Sequence, residues 1–124
     1  MIGYVTLGTN DVARAAAFYD QLLDSIGAKR LMESEDFIAW GVSPKQPSLG
    51  IIKPFDGNAA TVGNGVMVAL VVDSPAKVNA LHAKALELGA KDEGPVGPRG
   101  TSGFYAGYFR DLDGNKLNVF CMGG

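Results

Sequence analysis

Few side chains in this sequence are equipped for acid–base or nucleophilic chemistry: there is one histidine, His82, and one cysteine, Cys121. His82 lies four residues after Val78 and three before Ala85, beside the apolar stripe of a helical segment. It therefore reads as a structural imidazole, with a catalytic base as the alternative. Cys121 falls near the end of the last strand-like segment, where nothing nearby in the sequence lowers its pKa, and reads as a buried inert thiol. A single cysteine forms no internal disulfide and builds no four-cysteine zinc site. Asp111-Leu112-Asp113-Gly114-Asn115 superficially resembles a calcium loop but lacks the glycine at position six and the glutamate at twelve, so it is read as a hairpin turn. Gly63-Asn64-Gly65 precedes a strand and not a helix, so no phosphate loop is read there.

Trp40, Phe55, Tyr105 and Tyr108 are the candidate aromatic walls of a pocket, and core packing is the competing reading for all four. Tyr105 and Tyr108 are three apart in a strand, so alternation sends them to opposite faces. Arg99 stands alone in the Gly/Pro-rich run 94–103, with two readings open: a lid meeting an anionic ligand, or a solvated loop charge. Lys53 and Lys116 have the same standing.

The chain has 124 residues, enough for one domain, and its 47% apolar content excludes a disordered reading. A formal charge of −2 without Lys/Arg clusters argues against nucleic-acid or anionic-membrane binding. The longest apolar run, Val66 to Val72, is far below the roughly 20 residues of a spanning helix, so no membrane partner is expected. Met1-Ile2-Gly3-Tyr4 carries no secretory n-region, and a cytoplasmic location is expected.

Two amphipathic helices organise the rest. Val12, Ala16, Tyr19, Leu23 and Ile26 form one stripe, with Asn10 expected as N-cap and Gly27 just past the end. Val78, Leu81, Ala85 and Leu88 form the second, with Ser74 as N-cap, Pro75 at the first turn and Gly89 past the end. Each follows a short β-prone segment, 4–7 or 67–70, and is followed by Ile26-Gly27-Ala28-Lys29 or Leu88-Gly89-Ala90-Lys91. That near-constant offset is the mark of an internal duplication. Strands are expected at 29–33, 36–42 and 48–53 in the first copy and at 104–110 and 116–122 in the second; the run 94–103 predicts only a short strand and a flexible loop. The expected fold is α+β, a single domain of two βαβββ modules, about 1–56 and 64–124 with linker 57–63, pairing curved mixed sheets around a cleft.

The ordered set Tyr4-Val5-Thr6-Leu7, Asn10-Asp11, Ala13, Ala17-Phe18-Tyr19 and Leu22-Leu23, then Gly63-Asn64-Gly65, Val68-Ala69 and Arg110 to Leu117, resembles the glyoxalase/bleomycin-resistance/dioxygenase (vicinal oxygen chelate) superfamily over essentially the whole chain. The resemblance implies paired βαβββ modules and, in metal-dependent members, a His in a first strand and a Glu in a last strand. Those positions match Tyr4, Met67 and Asn118, a phenol with a pKa near about 10, a thioether and a neutral amide, none suited to a hard divalent ion. No metal and no cofactor are therefore expected.

The function expected is small-molecule binding without the usual metal, with Tyr4, Met67, Asn118, Trp40, Tyr108 and Arg99 as wall residues for a partly hydrophobic ligand. The alternative is a glyoxalase-like lyase, isomerase or dioxygenase. It would use a metal held by unplaced ligands, or be metal-free with Tyr4 as proton donor and Asn118 holding an oxyanion. A third reading is an interaction subunit with a filled pocket. The resemblance also implies a homodimer as the partner state, with module pairing within the chain or by swapping left open.

Overall fold

The computed structural model describes residues 1–123, which divide into two compact units, Met1–Thr61 and Val62 onward. Each is a four-stranded mixed sheet with one helix, so the duplicated βαβββ pattern and the α+β class hold.

In the first unit, strands β1 (Tyr4–Gly8), β2 (Lys29–Glu33), β3 (Phe37–Gly41) and β4 (Ser48–Ile52) lie in the order β1-β4-β3-β2, with helix α1 (Val12–Asp24) crossing between β1 and β2. β1 and β4 run parallel and the other pairs antiparallel. Because a helix covers only one face, alternate strand residues divide sharply. Leu7, Ile38, Trp40, Leu49 and Ile51 are buried with Phe18, Tyr19, Leu22 and Leu23 of α1. Asp20 of α1 accepts from Trp40 Nε1 at 2.9 Å and from Arg30 Nε and Nη2 at 2.9 and 2.7 Å, tying helix to β2 and β3. The Arg30 hydrogen bonds hold the Asp20 carboxyl below its ordinary value against the opposing effect of burial, and the Trp40 N–H adds to the lowering.

The N-cap of α1 is Asp11, whose carboxylate accepts from Arg14 N at 3.0 Å, and not Asn10. Asn10 is used elsewhere: its Oδ1 accepts from Ala60 N at 2.7 Å and clasps the segment after β4. The helix also stops at Asp24, leaving Ile26 in the turn that Gly27 closes at φ +81°.

In the second unit, strands β5 (Val68–Val71), β6 (Lys91–Pro98), β7 (Tyr105–Arg110) and β8 (Lys116–Cys121) take the order β5-β8-β7-β6, with helix α2 (Pro75–Glu87) between β5 and β6. Ser74 caps α2 and Pro75 opens it, as the sequence predicts. Asp111 organises the β7–β8 turn: its Oδ1 accepts from Asp113 N and Asn115 N, each at 2.9 Å. The run through Gly94-Pro95-Val96-Gly97-Pro98 departs from expectation, since it belongs to the eight-residue β6. Register shifts between Asp92 and Gly94 and between Gly94 and Gly97 explain how: the bulges absorb residues that a regular ladder rejects.

His82 sits in the helix layer, 6% exposed. Its Nε2 lies 3.0 Å from Tyr108 O and 3.3 Å from Asp92 Oδ1; both neighbours are acceptors, so Nε2 carries a proton and donates. Its ring fills the space over Gly107, where a Cβ would meet His82 Cδ2 at 2.9 Å.

His82→Ala opens a void and breaks a buried hydrogen bond, so urea denaturation should show a loss of about 2 to 4 kcal/mol. A value near zero would mean the ring does not hold the helix to the sheet. For Asp20, a carboxyl whose pKa is depressed by folding contributes stability above its unfolded pKa, and that contribution disappears as the pH falls through the lower folded value. Asp20→Asn should therefore be less stable than the parent at pH 7, with the gap narrowing below about pH 4. A gap of constant size from pH 7 to 2.5 would rule out the ionic contribution.

Candidate functional site

β8 is the strand on which the candidate site rests. Leu117 and Val119 pair with Val68 and Leu70 and with Phe109 and Gly107, on the face that α2 covers. Tyr105 belongs to that face too, its hydroxyl donating to Asn79 of α2 at 2.7 Å. Alternation then turns Lys116, Asn118 and Phe120 to the opposite face, together with Ala69, Tyr108 and Ala106 of the neighbouring strands. Cys121 lies buried on the helix side, and Tyr105 and Tyr108 are on different faces, both as the alternation predicts.

Asn118 is 1% exposed, and no donor among the described residues reaches its Oδ1. Leaving such a group buried and unpaired costs about 1 to 3 kcal/mol. The cross-strand neighbour of Asn118 is Tyr108. The guanidinium carbon of Arg99 lies 5.4 Å from the Tyr108 ring centroid and Lys116 Nζ 5.5 Å from it. Arg99 is half-buried and anchored locally: Nη1 donates to Gly97 O at 2.9 Å and Nη2 to Pro95 O at 2.6 Å, which turns the side chain back over β6.

Beyond Lys116 lies a cavity of about 490 Å³, lined by Val62, Asn64, Val66, Met67, Arg110 and Lys116 among others. Met67 supplies a partly exposed thioether just ahead of β5. Arg110 is committed, its Nε donating to Glu93 Oε1 at 2.6 Å and its Nη1 to Gly114 O at 3.2 Å. That bond, opposed by burial and reinforced by the charges of Arg110, Lys91 and Lys116, holds the Glu93 carboxyl below its ordinary range. Arg110 and Glu93 were not singled out from the sequence. For Arg110 the signal was available, since residues 108, 110, 116 and 118 share one face of a hairpin.

The equivalent face of the first unit is built differently. Gly50 holds the place in β4 that Asn118 holds in β8, and a Cβ there would meet Phe37 Cε1 at 2.7 Å. The Phe37 ring covers this spot, and Tyr4 meets it edge-on with centroids 6.2 Å apart. Tyr4 is 62% exposed. Trp40 takes the packing role instead of a wall role, being buried on the helix side with its N–H on Asp20. Phe55 is fully exposed. A second cavity of about 370 Å³ lies by the β1–α1 turn, with Asn10, Glu35, Asp36 and Lys53 in its wall.

The resemblance raises the question of a divalent metal. Among the described residues no group of three His, Cys, Asp or Glu side chains gathers, and the one imidazole and one thiol lie on the helix side of the second sheet, away from Asn118. The amide, thioether and phenol at the three corresponding positions do not fit a hard cation. On this sheet face the one carboxylate identified, Glu93, is taken by Arg110.

The family model described as the Glyoxalase/Bleomycin resistance protein/Dioxygenase superfamily matches residues 1–119. A glyoxalase/bleomycin resistance protein from Albidiferax ferrireducens T118 is similar at 32% identity and a TM-score of 0.89, with 99% of each chain covered. A lactoylglutathione lyase from Agrobacterium tumefaciens (20% identity, TM-score 0.70, 98% and 92% covered) shares the fold. So does a fosfomycin resistance protein from Listeria monocytogenes (17%, 0.75, 99% and 93%). No curated protein matches the sequence. With a family match across nearly its whole length and the duplicated βαβββ architecture on which that family is built, this chain belongs to the glyoxalase/bleomycin resistance/dioxygenase superfamily.

Proposed function

We propose that the chain is a metal-free small-molecule-binding member of its superfamily, and that the ligand docks on the helix-free face of the second sheet, over Asn118. The observation that carries this reading is the buried, unpartnered Oδ1 of Asn118. An amide in that condition is destabilising in the free protein and becomes favourable when a ligand N–H or O–H reaches it. The nearby surroundings suit a ligand of mixed character. Met67 and Val66 offer polarizable and apolar surface, Tyr108 an aromatic face, and the adjoining cavity of about 490 Å³ falls within the size range of small-molecule sites. Binding of this kind needs no general acid or base, in keeping with a site face whose imidazole and thiol are both on the other side of the sheet.

The test is a substitution that separates stability from function. Asn118→Leu replaces the unpaired amide by an apolar side chain of similar shape. It should leave the protein as stable as the parent, or more stable by on the order of 1 kcal/mol in urea denaturation, while weakening ligand binding measured by calorimetry. A loss of several kcal/mol of stability would assign Asn118 to the architecture and remove the support for the site.

A further inference from the structure

We infer that the ligand of this face is an anion: a small molecule with a carboxylate or phosphoryl group received by Arg99 and Lys116 beside Tyr108, and a neighbouring N–H or O–H donated to Asn118. This specifies the chemical class for the binding role proposed above and rests on it.

The chain as a whole is mildly acidic, at −2, yet the helix-free face of the second sheet gathers Arg99, Arg110 and Lys116 against one carboxylate, Glu93. Glu93 is engaged by Arg110 at 2.6 Å. Asp92, the next acidic residue along β6, points to the helix side and meets His82. Arg99 and Lys116 therefore make no ion pair among the described residues, although both approach the same aromatic ring from neighbouring strands. Like charges brought to one ring repel each other, and the quadrupole of Tyr108 offsets only part of that repulsion. An anion between or beside them resolves the conflict.

Geometry adds direction. Arg99 spends one N–H from each terminal nitrogen on the carbonyls of Gly97 and Pro95. Those acceptors fix the guanidinium plane and leave its charge unneutralised, which is the preorganised state that favours a planar or tetrahedral oxyanion. The β6 bulges bring Arg99 close: its Nη2 lies 3.4 Å from where a Cβ of Gly94 would stand, a position that Tyr108 also crowds at 3.2 Å. A stapling role for Arg99 within β6 accounts for its two carbonyl bonds but not for Lys116 on the far side of the ring's strand. Asn118, the cross-strand neighbour of Tyr108, places the unsatisfied acceptor next to this cationic pair. A hydroxyl or amine near the anionic group would meet it.

The experiment uses three probes of one shape: mandelate, α-hydroxybenzylphosphonate and neutral mandelamide. Each is titrated into the isotope-labelled full chain while the Asn118 side-chain amide and the Arg99 Nε–H are followed by NMR. The anions should bind at least about tenfold tighter than mandelamide and lose affinity with added salt. Arg99→Gln and Lys116→Gln should each reduce that anion preference several-fold, Arg99→Lys restoring part of it. Lys77→Gln on α2, an equal change in net charge on the helix side, should not. The two anions distinguish a carboxylate from a phosphoryl ligand. Equal affinity for charged and neutral probes, with the Asn118 amide still responding and Asn118→Leu abolishing both, would overturn the anion inference and leave the binding site standing. If no probe perturbs Asn118, both the inference and the binding site fall.

Discussion

The constraint from which the rest of the molecule follows is the two-sidedness of a strand when only one side is given a helix. β8 obeys it residue by residue: Leu117, Val119 and Cys121 go under α2, while Lys116, Asn118 and Phe120 go to the other side. Burial on the helix side fixes the register, because a slip of one residue would drive Asn118 and Lys116 into the apolar layer. The chemistry available on the helix-free side is therefore whatever the sequence places at every second position, and in this strand that includes an amide and an ammonium group.

The duplication sharpens the contrast between the two units. Both carry the same strand order and the same helix placement, and both end the helix with a glycine at positive φ. Where β4 has Gly50 beneath the ring of Phe37, β8 has Asn118 beside Tyr108; where β3 has Ala39, β7 has Tyr108. One copy uses that face for aromatic packing, with Tyr4 against Phe37, and the other concentrates polar and cationic groups on it. Duplication doubled the scaffold: the strand order is the same in both copies, while the side chains at equivalent register positions differ in chemistry and β6 is longer and more bulged than β2.

Much of this was readable in the residues themselves. Helix starts at Ser74-Pro75, helix stops at Gly27 and Gly89, the Asp111–Asn115 turn and the opposed faces of Tyr105 and Tyr108 all follow from local rules that the fold respects. The misreadings have local causes as well. Asn10 was expected to cap α1, but Ala60, fifty residues on, engages its side chain, and Asp11 caps the helix instead. Glycine and proline in 94–98 argue against a strand unless bulges are allowed, and bulges are a property of the paired strand, not of the sequence alone. The partners of Arg99 are backbone carbonyls two and four residues away, which no side-chain pattern announces. Trp40 was ambiguous because an aromatic in a strand fits either face, and Asp20 resolved it.

Gly107 and His82 illustrate how a histidine can be retained without performing chemistry. The strand position has no room for a Cβ, with Val96 Cγ1 at 2.7 Å and the imidazole at 2.9 Å, and the imidazole in turn has no other place to lie while it holds the Tyr108 carbonyl. The restriction runs one way: a side chain at 107 would have to displace both Val96 and the imidazole, whereas a shorter residue at 82 leaves the glycine unstrained and the seat above it vacant.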